Sequence, residues 1–372
     1  MVNLFFELLQ IAIGEKSCLS RNPTEKEWEG IYAICQKQAV AAFVFSAIER
    51  FNESGQRPPA ALLYEWIGLS EQVKAQNALM NKEAARLTIL FEKAGHHTAI
   101  LKGQANARLY HQPWSRQPGD IDIWVDGGEA AVMESLHRLR LIDSCDIRLY
   151  EREGKPTKSY HHVHLPTNEN GVNVEVHFRP SSGVFNPFVN KQIQSFLEEE
   201  IGKGCELTDD GFMVPSLRFA LVMQMAHVQR HFMSEGIGLR QLIDYYYLLK
   251  SDIRKQKEDL PDTLGHLGLA KMAGAVMWVL NERLGLEEEY LIAPMDERRG
   301  KILLNDILRG GNFGKYATDK RLNVIGRLLT GRIRHLKLLR FDWKETIWFE
   351  LNYWKIQAKK APLRLKRRSW TV

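Results

Sequence analysis

Eight residues set the tightest constraint on what this chain can become. From Val172 to Arg179 apolar and polar side chains alternate, with Val172, Val174, Val176 and Phe178 on one side and Asn173, Glu175, His177 and Arg179 on the other. A period of two belongs to a strand, whose successive side chains point to opposite faces. One face is therefore built for burial and the other for chemistry or water, so a sheet is needed with a covering layer on its apolar side. Ser159 to Leu165 reads as a second strand, and the turn residues of Pro166-Thr-Asn-Glu-Asn-Gly171 between the two predict a hairpin. Upstream, His97 to Lys102 reads as a short strand. A helix from Gly103 to Tyr110 and a loop containing Pro113 and Pro118 follow it. Asp120 to Val125 reads as another strand, which leads through Gly127-Gly128 into a helix with Val132, Leu136 and Leu139 on one side.

Both flanks change period. In residues 1 to about 92 apolar positions recur every three or four residues, as in Ile31, Ile34, Ala39, Ala42, Phe43 and Ala47, and again from Leu62 to Leu90. Thr24 with Glu27 three places on predicts a capping-box start. From Pro215 the chain reads as helical, around Ser216 to Phe232, Leu239 to Lys250, Leu267 to Leu284, Glu297 to Leu308 and Asp342 to Lys360. The expected class is α+β: a helical region over 1–92, a small mixed-sheet core over 93–212 and a helical region over 213–372. No internal repeat or low-complexity segment interrupts it.

Several function classes drop out. With 44% hydrophobic and 26% charged residues the 372-residue chain has an ordinary folded composition, which excludes disorder. The longest apolar run, Leu217 to Val228, contains Arg218, Gln224 and His227, so no membrane span is expected. Met1 to Gln10 lacks a basic residue ahead of its apolar run and carries Glu7 within it, which reads as an amphipathic first helix rather than a secretion signal. Cys18, Cys35, Cys145 and Cys205 form no C-x-x-C pair, so a reducing cytoplasm is the expected setting. The net charge of +6 is concentrated at the end. Residues 331–372 hold twelve Lys/Arg against three Asp/Glu, a local +9 that leaves the rest near −3. Such a tail can meet nucleic acid or an acidic membrane surface, and a solvated helix face explains it more simply.

The chemistry concentrates in Gly119-Asp120-Ile121-Asp122-Ile123. Two carboxylates one residue apart on a strand share a face while the isoleucines point to the core, and their mutual repulsion calls for a cation, a shared proton or exposure. A hard divalent ion such as Mg²⁺ suits oxygen ligands and keeps positions for water and substrate phosphates. Glu175, on the polar face of the later strand, supplies a third acid. Three acids from two strands can hold two ions roughly 3.5–4 Å apart, the arrangement for in-line phosphoryl displacement.

These residues carry a resemblance. Leu101-Lys102-Gly103, Tyr110, Pro113, Arg116, Gly119-Asp120-Ile121-Asp122 and Val174-Glu175-Val176-His177 together resemble the nucleotidyltransferase superfamily that includes DNA polymerase beta. More narrowly they are similar to an uncharacterised bacterial nucleotidyltransferase family. The likeness runs on through His227, His231 and Gly236-Ile-Gly-Leu-Arg240-Gln-Leu-Ile-Asp244, covering roughly residues 95 to 250. It implies that Asp120 and Asp122 are the paired metal ligands and that Glu175 is the third acid, helping to activate the attacking hydroxyl. It also implies that Gly103 opens a helix whose free N–H groups receive nucleotide phosphates. The commoner pattern follows that glycine with Gly or Ser, where this chain has Gln104.

Other residues take supporting places. Lys102 and Arg116 bracket the expected phosphate site, Arg as a bidentate fork and Lys as a point charge. His177 and Arg179 share the Glu175 face. Of His161-His162-Val163-His164 only His162 and His164 share a strand face, and with no cysteine or third histidine following, a zinc reading is set below one in which they line the acceptor side. His227 and His231 lack the glutamate of H-E-x-x-H and read as packing. Arg240 and Asp244, four apart, read as a helix salt bridge or a tie between the C-terminal helices and the core. Gly310-Gly-Asn-Phe-Gly314 reads as a helix stop and tight turn. The expected activity is a metal-dependent transfer of NMP from an NTP such as ATP to an acceptor hydroxyl, with release of pyrophosphate. The alternative is a non-catalytic nucleotide-binding or interaction protein with the same fold. Which nucleotide, which acceptor and which oligomeric state are left open.

Overall fold

The computed structural model describes residues 1–51, 56–142, 160–251, 258–317 and 324–368. Four helices come first: α1 (Val2–Ile13), α2 (Glu25–Gln38), α3 (Ala41–Ile48) and α4 (Ala60–Lys93). The capping box forms as read, with Thr24 accepting from the Glu27 N–H at 3.3 Å and Glu27 accepting from the Thr24 N–H at 3.0 Å. The first helix is more deeply set than an amphipathic surface helix, because Leu4, Phe5, Leu8, Leu9 and Ile11 are all buried among the surrounding helices. On α4, Trp66, Val73, Met80 and Leu87 recur every seven residues and are buried, one stripe along a rod about 50 Å long.

The sheet comprises β1 (Thr98–Ile100), β2 (Ile121–Val125), β3 (His162–His164) and β4 (Val174–His177) in the order β1-β2-β4-β3. Strand β2 runs parallel to β4, and the two outer pairings are antiparallel. Short helix α5 (Gln104–Ala107) follows β1, and α6 (Gly128–Arg138) follows β2. The helix expected over Gly103 to Tyr110 is thus a single α-turn. The alternation around Glu175 is realised: Val172, Val174, Val176 and Phe178 join Ile121, Ile123, Val163, Leu87, Phe91 and Leu136 in a core beneath the sheet. The opposite face carries Asp122, Glu175, His162, His164 and His177. Ser159 and Cys145 lie outside the described residues, and Cys18, Cys35 and Cys205 are free thiols.

After the sheet come α7 (Pro187–Gly202), a two-stranded ribbon of β5 (Cys205–Leu207) and β6 (Met213–Pro215), and then α8 (Leu217–Met233) and α9 (Leu239–Lys250). Helices α10 (Leu260–His266), α11 (Ala270–Leu284), α12 (Glu297–Gly310) and α13 (Val324–Arg368) complete the chain. Asp342 leaves helical geometry (φ −148°) and interrupts α13. Its carboxylate accepts from the Lys344 N–H at 3.1 Å, so a helix does begin afresh there. The largest core joins α1 and α3 to α8, α9 and α11, so the flanking helices of both ends share one interior. Among the described residues no helix is long and apolar enough to cross a membrane.

The glycine turn after α12 meets the turn before α9 at very close range. Gly314 has φ +62°, and a Cβ there would lie 1.8 Å from the Glu235 carbonyl oxygen. Gly314→Ala is expected to cost about 2–3 kcal/mol through backbone strain and displacement of this contact, read as a lower urea midpoint. An unchanged midpoint would show that the two turns can separate freely.

Candidate active site

Register places the acids. Asp122 lies directly beside Glu175 in the parallel β2/β4 pair, and Trp124 lies beside His177. The Asp122 carbonyl accepts from the Leu101 N–H at 2.9 Å and the Ile121 N–H donates to Asn173 at 3.0 Å, which pins the acidic strand on both sides. Asp122 is buried. The Lys102 ammonium donates to its Oδ2, and His177 Nε2 lies 3.1 Å from its Oδ1 and 3.5 Å from Glu175 Oε2.

The charges follow from this packing. Burial alone would raise the Asp122 carboxyl, but Lys102 and His177 outweigh it and hold the group well below the usual carboxylate range. Glu175 is likewise lowered, its burial outweighed by the His177 hydrogen bond and the nearby cations. His177 moves the opposite way: burial lowers it, and its two carboxylate neighbours raise it above an ordinary imidazole. Asp120 stands at the solvent-open mouth, where crowding by its neighbours and the negative charges of Asp122 and Glu175 push its carboxyl up.

Two cavities meet at these acids. The larger, about 580 Å³, is within the range of small-molecule sites and is lined by Lys37, Lys102, Gly103, Arg116, Arg240 and Lys315 among others. The smaller, about 220 Å³, is lined by His161, His162, Glu175, His177 and Arg230. Asp120, Asp122, Lys102, His227 and Phe313 border both. The glycine turn over residues 310–314 does stop a helix, and its Asn312 and Phe313 also wall the larger cavity.

The remaining expected residues sit as follows. Gly103 has φ +65° and caps the one-turn α5. Gln104 is buried and donates to Asn77 at 3.3 Å and to Asn81, so it ties the site's floor to α4. Arg116 borders the larger cavity with its guanidinium already engaged, since Nε and Nη2 donate to the Asp244 carboxylate at 2.7 and 2.8 Å. Asp244 therefore pairs with Arg116 and not with Arg240, because four-residue helical spacing offers a neighbour but the core offers a better-aligned fork. Arg240 instead donates to the carbonyls of Gln117 and Pro118 at 3.0 and 3.2 Å, holding the loop that delivers Asp120. Arg179 lies over the Tyr160 ring at 4.5 Å and donates to its hydroxyl at 3.2 Å. His227, read as packing, stands between the two cavities, a position fixed by helix docking that spacing alone does not reveal.

Asp122, Glu175 and His177 offer ligand atoms within 4.8 Å of one another. Asp120 adjoins them at the mouth and belongs to no such group of three among the described residues. The donor set suits a hard cation: carboxylate oxygens of Asp122 and Glu175 clustered beside Asp120. A family model described as an uncharacterised nucleotidyltransferase matches residues 24–285. No curated protein and no solved structure matches the chain.

Proposed function

The chain belongs to an uncharacterised nucleotidyltransferase family, and from that premise we propose that it is a metal-dependent enzyme moving NMP from an NTP to an acceptor hydroxyl with release of pyrophosphate. The observation that carries the reading is the position of Asp120 and Asp122 on the border of two cavities, with Glu175 in register beside Asp122. Asp120, Asp122 and Glu175 would hold Mg²⁺, which supplies charge neutralisation and polarisation of the phosphoryl oxygens when bound. The larger, lysine- and arginine-lined cavity suits the triphosphate, and the smaller suits the acceptor. Lys102 supplies a point charge to phosphate oxygens, and Gly103 has no side chain to keep phosphates from the backbone. Glu175, kept ionised by its neighbours, is placed to take the proton of the acceptor hydroxyl as its oxygen bonds to the α-phosphorus and the bond to pyrophosphate breaks. Arg116 and Arg240 position the loop that carries Asp120. Catalysis then comes mainly from placement and charge neutralisation.

The test is Mg²⁺-dependent pyrophosphate release from a nucleotide panel, with cell extract as the acceptor source and mass spectrometry to identify the modified species. Turnover by the wild type and none by an Asp120→Ala, Asp122→Ala double variant is the expected result. Equal behaviour of the two proteins would end the catalytic reading, and nucleotide binding that survives loss of the acids would favour a non-catalytic nucleotide-binding protein. RNA affinity that falls steeply with salt and disappears on deletion of residues 355–372 would identify the basic tail as a nucleic-acid contact.

A further inference from the structure

Three histidines, His162, His164 and His177, stand on the polar face of the sheet with His161 beside them, more than the proposed transfer uses. We infer that His162, His164 and Glu175 form an imidazole-based site for a divalent transition-metal ion of the zinc type, beside the aspartate pair and sharing Glu175 with it. Strand register builds the site. In the antiparallel β3/β4 pair, His164 lies opposite Glu175 and His162 opposite His177. Directly opposed residues on one face bring their side chains together, so the two β3 histidines and Glu175 converge by construction.

The separation of the two histidines is that of shared coordination. A tetrahedral ion with ligands at about 2.0–2.1 Å holds its donor atoms about 3.3 Å apart. His162 Nε2 and His164 Nε2 are 3.0 Å apart, and the other nitrogen of each ring lies within 3.4 Å of the Glu175 carboxylate. One ligand atom from each of the three lies within 4.8 Å of the others. His161 and His177 flank the trio, with His161 Nε2 2.8 Å from His162 Nδ1. Neighbours of this kind orient ligand rings. His162 and Glu175 border the smaller cavity, and three protein ligands leave a fourth position for water or a substrate oxygen. Imidazole nitrogen selects zinc, cobalt, nickel or copper over magnesium, so the two sites differ in the ion they prefer.

Cobalt(II) is the probe, because a tetrahedral nitrogen-oxygen site gives it strong visible absorption, and zinc serves as the competitor. The full chain, titrated in excess Mg²⁺, is expected to bind one Co²⁺ with this spectrum and to release it to Zn²⁺. His164→Ala is expected to weaken Co²⁺ binding at least about tenfold, and His162→Ala with His164→Ala is expected to abolish it. His164 has half its side chain exposed, so the single variant does not challenge the fold, and thermal melts check the double one. An Asp120→Asn, Asp122→Asn variant is expected to keep the spectrum. Absence of the spectrum in the wild type, its persistence in both histidine variants, or its loss in the aspartate variant overturns the assignment. Nucleotidyl transfer is not read in this titration, so its outcome and that of the pyrophosphate assay are separable.

Discussion

Replacing Asp122 by Asn is expected to lower kcat/KM for nucleotidyl transfer by about 10³-fold or more, equivalent to about 4 kcal/mol of transition-state stabilisation. Asp122 is the buried member of the pair, and it faces both Lys102 and His177. The amide removes a proposed metal ligand and also takes the anion from beside Lys102 and His177, so His177 gives up its proton more easily. Asp120, open to solvent at the mouth, is expected to cost less when changed to Asn. Steady-state pyrophosphate release at several Mg²⁺ concentrations checks both variants, with far-UV circular dichroism as the folding control. If Asp122→Asn keeps more than a tenth of wild-type activity while folded, the acidic pair is not the catalytic centre.

The second large effect is on stability. Asp244→Ala is expected to destabilise the fold by about 3–5 kcal/mol, because it strands the buried Arg116 guanidinium. Asp244 accepts two hydrogen bonds from Arg116 and a third from the Tyr110 hydroxyl at 2.7 Å, and both charged residues are buried. Burial acts to lower Arg116, and the Asp244 carboxylate beside it outweighs this and raises it. Urea unfolding measures the loss. A midpoint unmoved by Asp244→Ala, or equal losses for Asp244→Ala and a surface control such as Glu297→Ala, would show that water reaches the guanidinium and the pair is dispensable. Asn77 Nδ2 also donates to the Arg116 and Trp114 carbonyls at 2.8 Å each, so disorder spreading from the broken pair reaches the loop ahead of Asp120.

Local rules made much of this fold legible. The strand alternation around Glu175, the Thr24 capping box, the glycine stop after α12 and the fresh start at Asp342 each depend on a few neighbouring residues, and each appears in the structure. What escaped the sequence reading depends on distant partners. The α7 helix and the β5/β6 ribbon lie in a stretch with weak periodicity, where packing decides the conformation. Gln104 departs from the pattern of the superfamily that the sequence resembles, and its contacts are visible only once α4 brings Asn77 and Asn81 beside it. The His162 and His164 pair could be placed on one face, but their meeting with Glu175 and His177 requires the β3/β4 register. Arg116 is the same case in charge: a guanidinium near an acidic pair reads as open, and only tertiary packing supplies Asp244.

The partition between the two chambers has a practical consequence for inhibitor chemistry. On the proposed function, a compound carrying a nucleotide-like head and a hydroxyl-bearing tail, tethered across the lip that Asp120 and Lys102 form, would occupy both halves at once. Its second half would then bind at the high effective concentration its tether sets, and the joined molecule would outperform either fragment. The best tether length would report the span of that lip directly.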